Sequence, residues 1–164
     1  MTYRLTCSMT APVPPERAFS IFENPYNLAR ITPDWLNFRV LTPDLTMRPG
    51  AEIDYSIKWL GLPLRWKTLI TAYDPPHGFV DQQARGPYLL WRHTHTFHRT
   101  AAGTEIRDQV DYRLPLGILG RAAHAIVVKR QLLGIFRFRQ RAIAAMLAVP
   151  GVVYTEPSCA AVSE

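Results

Sequence analysis

WRHTHTFHRTAAGTEIRDQVDYRLP, residues 91–115, contains two runs of alternating apolar and polar residues around a short stretch of small residues. Alternate side chains of an extended chain share one face, so the pattern predicts two antiparallel strands joined by a loop over 100–103. A shift of one residue would turn the apolar side chains outward, so the register is well specified. The predicted pairs are Arg99–Thr104, Phe97–Ile106, His95–Asp108, His93–Val110 and Trp91–Tyr112.

Two histidines lie on the aromatic face of the first of these strands. The register brings His95 opposite Asp108, close enough for the side chains to pair, whereas His93 faces Val110. Such a carboxylate can orient a histidine toward the polar end of a ligand, or the two can serve as general acid and base. Burial lowers the pKa of a histidine and a carboxylate raises it, so both directions of shift stay open.

Two other interpretations of the histidines remain. His93 and His95, two residues apart on one strand, could bind zinc or iron together with Asp108 and His77, because imidazole and carboxylate suit both metals. The same polar groups could instead satisfy one another and fix the packing of the sheet. Because the register places no third histidine beside the pair, we expect no bound metal and no other cofactor.

A second hairpin precedes the histidine strand along the chain. Residues 51–74 alternate in the same way, and a two-residue turn at 61–62 sorts their apolar and polar side chains onto opposite faces. The predicted pairs are Trp59–Leu64, Ile57–Trp66, Tyr55–Thr68 and Ile53–Ile70.

A shorter strand with the sequence GFVDQQ lies between the two hairpins. It would turn through residues 85–87 into the histidine strand. That arrangement places Phe79, Asp81 and Gln83 on the same side as Trp91, so we expect these side chains near the histidines.

Helical patterns flank the strands. A first strand over 2–9 precedes two short helices, one after Pro14 and Pro15 and one over 26–31, and a strand over 36–40 follows. One long helix is predicted over 118–148, where Gly134 would permit close packing or a bend. Its expected apolar stripe comprises Leu119, Ala122, Ile126, Leu133, Phe136, Ile143 and Leu147.

Composition and element order define the class of fold. A chain of 164 residues with 48% hydrophobic and 20% charged residues is typical of one globular domain. Helices set apart from an antiparallel meander predict an α+β fold: a curved seven-stranded antiparallel sheet wrapped on a long C-terminal helix, with two short helices between strands 1 and 2. Residues 1–150 would form this domain, with a mostly apolar pocket between sheet and helix, and 151–164 a flexible tail.

Charge and cysteine content indicate which kinds of partner and which cellular location to expect. The net charge is +6, and residues 112–155 include seven arginines and lysines but no acidic residue. We interpret this segment as a solvated helix face, which allows at most transient contact with a membrane surface and no nucleic-acid partner. Two cysteines without a CxxC pair, and no signal-like or 18-residue apolar segment, predict a cytoplasmic location. Nothing in the residues indicates an oligomeric state.

The element order and three motifs resemble a known family. APVPPERAFSIFENPYNLARITP (11–33), FVDQQARGPYLLWRHTHTF (79–97) and GTEIRDQVDYRLPLG (103–117) carry the resemblance. The sequence is similar to helix-grip proteins of the START and birch-pollen-allergen superfamily, the SRPBCC proteins, and to their bacterial polyketide cyclase-like and ligand-binding subgroup. The resemblance covers residues 1–148 and implies a cavity under the long helix for lipids, polyketides or isoprenoid-like molecules.

We therefore expect the chain to bind a hydrophobic small molecule, with an aromatase/cyclase- or dehydratase-type lyase as the alternative. The lyase would need no cofactor and would use His95 and Asp108 as its catalytic pair. Arg130, close to the inner stripe of the helix, could reach a ligand carboxylate or phosphate. The candidate ligand-binding residues are Tyr55, Trp66, Phe79, Asp81, Gln83, Trp91, His93, His95, Phe97, Asp108, Tyr112 and Arg130.

Overall fold

The computed structural model describes residues 1–59 and 61–162 and contains a single antiparallel sheet there. Apolar residues alternate along its long strands, so one face of each strand is buried. The strands of the described residues are β1 (Thr2–Ala11), β2 (Arg39–Val40), β3 (Glu52–Trp59), β4 (Leu62–Asp74), β5 (Gly78–Arg85), β6 (Leu90–Thr100), β7 (Gly103–Arg113), β8 (Val153–Tyr154) and β9 (Ser158–Val162).

Two short helices, α1 (Pro15–Glu23) and α2 (Asn27–Arg30), and a 3-10 turn over Asp34–Leu36 connect β1 to β2. The long helix runs over 117–147 in three consecutive parts: α3 (Gly117–Ala123), a π-helical segment (His124–Val128) and α4 (Lys129–Leu147). Its buried residues pack on the inner face of β1 and β7. The predicted α+β helix-grip fold is confirmed, although the strand expected over 36–40 is reduced to two residues.

The strands lie in the order β2-β3-β4-β5-β6-β7-β1-β8, and β9 also pairs with β1. This order makes β1 a neighbour of β7, so the chain's first strand lies beside its last long one. The sheet has nine strands in the described residues where seven were predicted, because the segment expected to be a tail forms β8 and β9 on the edge of β1.

Strand registers test the sequence analysis directly. The β6–β7 pairing agrees at every predicted position, including His95 opposite Asp108. The β3–β4 prediction was wrong by two residues, because Trp59 pairs with Leu62 rather than Leu64. The two registers sort the side chains equally well, and Gly61, with a positive φ of 81°, occupies the tight turn that decides between them. Leu60 lies outside the described residues.

The long helix buries a different stripe from the one predicted in its first half. Leu119 and Ile126 are 71% and 74% exposed, while Gly120, His124 and Val128 are buried. The π-helical segment has wider turns than an α-helix, so it rotates the first half relative to a regular 3.6-residue pattern. From Phe136 onward the predicted stripe is correct, since Ile143 and Leu147 are buried.

The C-terminal segment is attached to the domain by polar side chains as well as by strands. The side-chain amide of Gln140, which is buried, donates to the carbonyl oxygens of Ser8 at 2.9 Å and Thr155 at 3.0 Å. Arg137 on the same helix forms an ion pair with Glu156 at 2.7 Å. These contacts connect the long helix, β1 and the C-terminal segment.

Among the described residues, none of the helices combines the length and the apolar character that a membrane span requires.

Candidate functional site

Four polar side chains on three adjacent strands, three of them buried and Asp81 half-buried, form a closed ring, called here the His–Asp ring. Asp81 on β5 lies opposite His93 on β6, and His95 on β6 lies opposite Asp108 on β7. All four point to the inner face because they occupy alternating positions of their strands. Asp81 completes the pair that the sequence predicted between His95 and Asp108.

Each histidine of the ring contacts both carboxylates. His93 is 3.5 Å from Asp81 through Nδ1 and 3.0 Å from Asp108 through Nε2. His95 is 3.3 Å from Asp81 through Nε2 and 2.8 Å from Asp108 through Nδ1. The last contact is close but too poorly aligned for a hydrogen bond, so we treat it as an electrostatic contact. The two imidazole rings lie 3.8 Å apart between their centroids.

The ring shifts the pKa values of its two histidines in opposite directions. Burial lowers the pKa of His93 to about 4; the neighbouring His95 adds to that decrease, and Asp81 and Asp108 oppose it. Burial also acts to lower the pKa of His95, but its contacts with Asp108 and Asp81 outweigh burial and raise it. The histidines hold the pKa of Asp108 far below its usual range and that of Asp81 below it, against the effect of burial.

Three adjoining chambers lie between the sheet and the helices. The first, about 90 Å³, borders the His–Asp ring; the second, about 120 Å³, extends toward the aromatic residues of β3 and β4. The third, about 290 Å³, continues to the start of the long helix. Leu28, Tyr55 and Trp91 border both of the first two chambers, and Trp59 and Tyr88 border both the second and the third. The chambers therefore follow one another from the ring to the first turns of the helix.

Seven of the twelve candidate ligand-binding residues border these chambers. Apolar surface predominates, and polar side chains are concentrated at the first chamber, as expected for a small-molecule site. The seven residues are Tyr55, Trp66, Phe79, Asp81, Trp91, His93 and His95.

The other five candidates do not border the chambers. Phe97 packs in the core against Phe22, with ring centroids 5.1 Å apart. Gln83 exchanges hydrogen bonds with the backbone of Tyr88 and so holds the turn before β6. Arg130, expected near the inner face, is exposed, because the buried side of α4 is formed by Leu132, Phe136 and Gln140 and Arg130 lies on the other side. Asp108 contacts the far side of the two histidines, and Tyr112 is buried against the long helix.

Arg139 is the cavity residue that the sequence analysis missed. It borders the first and second chambers, and its guanidinium lies over the ring of Phe136, 4.9 Å from the centroid. A signal was present, because Arg139 is three residues after Phe136, a member of the predicted stripe, and residues three apart share a helix face.

Tyr112 belongs to a second buried polar cluster. Its hydroxyl lies 2.7 Å from Nε2 of His124 and 3.0 Å from the thiol of Cys159 on β9, and Tyr3 stacks on the imidazole. Burial, then the nearby Cys159, raises the pKa of Tyr112, while burial lowers that of His124. The cluster joins the π-helical segment to β9 and lies apart from the chambers.

A metal held by the two histidines would have a different third ligand from the one predicted. Asp81, His93 and His95 each offer a donor atom within 4.8 Å of the others, whereas Asp108 contacts the opposite ring nitrogens. His77 is exposed on the turn between β4 and β5, where it pairs with Asp74. The expectation of no bound metal stays a prediction.

A long helix closing an antiparallel sheet over an internal apolar cavity defines a helix-grip protein. A family model described as "Polyketide cyclase / dehydrase and lipid transport" matches residues 11–135. The chain belongs to this family, and the predicted SRPBCC, or birch-pollen-allergen-like, relationship is confirmed. The comparison with curated proteins returns no match.

Solved structures of low sequence identity share the fold. TTHA0849 from Thermus thermophilus aligns over 89% of this chain and 99% of its own, with a TM-score of 0.66 and 16% identity. CV1439 from Chromobacterium violaceum aligns over 89% of this chain and 98% of its own, with a TM-score of 0.68 and 17% identity. Major latex-like protein 151 from Panax ginseng aligns over 90% of this chain and 99% of its own, with a TM-score of 0.67 and 14% identity. At these identities the similarity shows the fold alone.

Proposed function

We propose that this protein binds an elongated apolar small molecule in the chambers between the sheet and the long helix. The observation that carries the proposal is the succession of three adjoining chambers with mainly apolar walls. An empty apolar cavity forfeits dispersion contacts, so a molecule that fills it gains them without competing for hydrogen bonds. The family's description, which includes lipid transport, is consistent with such a ligand.

The order of the chambers supports an extended ligand shape. The third chamber lies against Leu114, Leu119 and Val128 near the first turns of the long helix, and the first ends at the His–Asp ring. A ligand that spans them would meet apolar surface over most of its length and polar groups at one end. Lipid, polyketide and isoprenoid-like molecules fit that description.

Binding of N-phenyl-1-naphthylamine, an uncharged fluorophore that brightens in apolar sites, tests this proposal. Ile57 borders the second and third chambers, so Ile57→Trp should fill space there and weaken binding by about tenfold or more. Leu62→Trp is the matched control, because Leu62 lies on the same hairpin and is 65% exposed. Absence of binding to the unmodified protein, or equal binding to Ile57→Trp, would reject the proposal.

The second candidate function is the lyase of the aromatase/cyclase or dehydratase type. The observation that favours it is the opposite pKa shifts of two adjacent histidines at the cavity wall, because such a split separates an acid from a base. In a dehydration, neutral His93 would take the proton from the carbon beside a carbonyl. The C–H electrons would form the double bond, and the hydroxyl would leave as water with the proton of His95. Exchange with solvent would restore both histidines.

Turnover of a 3-hydroxydodecanoyl thioester tests the lyase. The unsaturated product and its rate of formation can be followed by liquid chromatography with mass detection. His93→Gln and His95→Gln should each abolish the reaction, whereas His98→Gln, exposed on the same strand, should not. A protein that binds the fluorophore but forms no product would reject dehydration of this substrate and leave the binding function intact.

A further inference from the structure

Besides Nδ1 of His95, which lies 2.8 Å from Asp108, two buried nitrogen donors of cavity residues have no hydrogen-bond acceptor in the part of the chain that the structure describes. They are the indole Nε1 of Trp66 and the guanidinium Nε of Arg139. Trp66 is 6% exposed. Folded proteins pair nearly all buried donors, because an unpaired one loses its hydrogen bonds to water without replacement. These two exceptions indicate an acceptor supplied by a bound molecule.

The two residues that carry these donors border the same chamber. Trp66 and Arg139 line the second chamber, and Arg139 also reaches the first. The guanidinium lies over the ring of Phe136, a cation–π contact that helps to hold it in place before a ligand arrives. An acceptor group in the second chamber could therefore reach the guanidinium without any change of fold.

Arg139 is not committed to a carboxylate of the protein. The ion pairs among residues 1–59 and 61–162 do not include it. Asp81 and Asp108, the acidic residues of the ring, are each held by both histidines. The long helix adds no acid, since residues 112–155 contain only basic charges. Arg139 thus forms no ion pair in this part of the chain, although its charge helps to lower the pKa of Asp81, and a ligand carboxylate could pair with it.

We infer that the ligand is an apolar carboxylic acid whose carboxylate is bound by Arg139, with Trp66 Nε1 as a second donor. This inference rests on the proposed binding function and names the chemical class of its ligand. A carboxylate offers two coplanar acceptors that match the fork of a guanidinium, and its charge is opposite. An alcohol or ester offers acceptors without charge, and an amine would place a second cation beside Arg139.

Displacement of bound N-phenyl-1-naphthylamine by three competitors with the same twelve-carbon chain tests the inference. Dodecanoate should displace the fluorophore at concentrations at least tenfold lower than methyl dodecanoate or dodecylamine at pH 7.5. The comparison with the ester is stringent, because its extra methyl group alone would favour the ester by about fourfold. This displacement experiment uses the unmodified protein, so its result does not depend on any variant being folded.

Two substitutions on the long helix assign the preference to one residue. Arg139→Met should reduce the preference for dodecanoate over its methyl ester to less than threefold, while binding of the fluorophore persists. Arg130→Met, which removes an equal charge from the exposed side of the same helix, should preserve the preference. Arg139→Lys should keep part of it, because charge remains but the planar fork is lost.

The possible failures of the two proposals are distinct. If the fluorophore does not bind, the cavity function itself is wrong. If it binds but dodecanoate is no better than the ester, the carboxylate inference is overturned alone. An undiminished preference in folded Arg139→Met would also overturn it, as would tighter binding of dodecyl phosphate than of dodecanoate.

Discussion

The carboxylate of Asp108 lies 3.0 Å from Nε2 of His93, although strand pairing places Val110 opposite that histidine. The side chains therefore meet diagonally across β6 and β7 as well as directly. This diagonal contact turns a histidine–aspartate pair into the closed His–Asp ring, in which the carboxylate serves two imidazoles.

Removing the charge of Asp108 should destabilise the fold. We expect Asp108→Asn to lower the free energy of unfolding by about 3 kcal/mol, because two buried imidazoles, one with a raised pKa, lose their shared counter-charge. Urea denaturation at pH 7 measures the change. Asp111→Asn on the same strand breaks only a partly exposed pair with Arg4 and should cost less than about 1 kcal/mol. Equal losses would contradict the shared role of Asp108.

The two histidines should shape opposite sides of the stability–pH curve. The pKa of His93 falls from an unfolded value of 6.5 to about 4, so the stability linked to it is present above pH 6.5 and lost toward pH 4. The pKa of His95 is raised, so the stability linked to it is present below pH 6.5 and lost as the pH rises through its folded value.

Variants of each histidine separate these two effects. Relative to the unmodified protein, His93→Gln should flatten the decrease in stability between pH 6.5 and 4, and His95→Gln should flatten the decrease on the alkaline side. Urea midpoints measured from pH 4 to 9 give both curves. Asp81 and Asp108 carry the charges that act on the pair, and Arg139 acts on Asp81. Identical curves for the two variants would show that the histidines are equivalent.

Two glycines of the long helix should respond oppositely to alanine. A Cβ at Gly120 would collide with the carbonyl oxygen of Pro115, so Gly120→Ala should lower the melting temperature. A Cβ at Gly134 would have no neighbour within 4 Å, so Gly134→Ala should stabilise the protein by about 0.5–1 kcal/mol through helix propensity. Thermal unfolding followed by circular dichroism measures both. Stabilisation by Gly120→Ala would contradict the close approach of Pro115.

The buried side chain of Gln140 should contribute to the stability of the protein. Its buried amide donates to Ser8 and Thr155, so Gln140→Leu would leave two carbonyl oxygens without that donor. We expect a loss of about 1–3 kcal/mol in urea denaturation and faster amide hydrogen exchange in β9. Arg141→Leu, its exposed neighbour, serves as the control. Unchanged exchange in β9 would show that the contact does not hold the C-terminal segment.

Local patterns predicted the centre of the sheet well. Both strands of the β6–β7 hairpin alternate and a short loop joins them, so a single register fits the pattern. That register predicted His95 opposite Asp108. The β3–β4 hairpin alternates equally well in two registers that differ by two residues, and its pattern could not choose between them. The contact of Asp81 with both histidines depends on side-chain rotamers that strand pairing leaves open.

Local sequence patterns could not predict the features that depend on distant parts of the chain. Regular helical spacing could not anticipate the π-helical segment, so Ile126 was placed inward, and Arg130, one turn after it, was placed beside it. The strands β8 and β9 are short, and their pairing partner is β1, about 150 residues earlier in the chain. A segment of this kind resembles a tail until the free edge of β1 is known.

The location of a bound apolar molecule tests the central claim most directly. Intermolecular nuclear Overhauser effects between N-phenyl-1-naphthylamine and the ¹³C-labelled protein identify the residues within about 5 Å of the fluorophore. The cavity account predicts contacts with Trp66, Trp91 and Phe136, which border the second chamber. Contacts confined to Ile118 and Ile126, which are exposed on the outer side of the long helix, would contradict it.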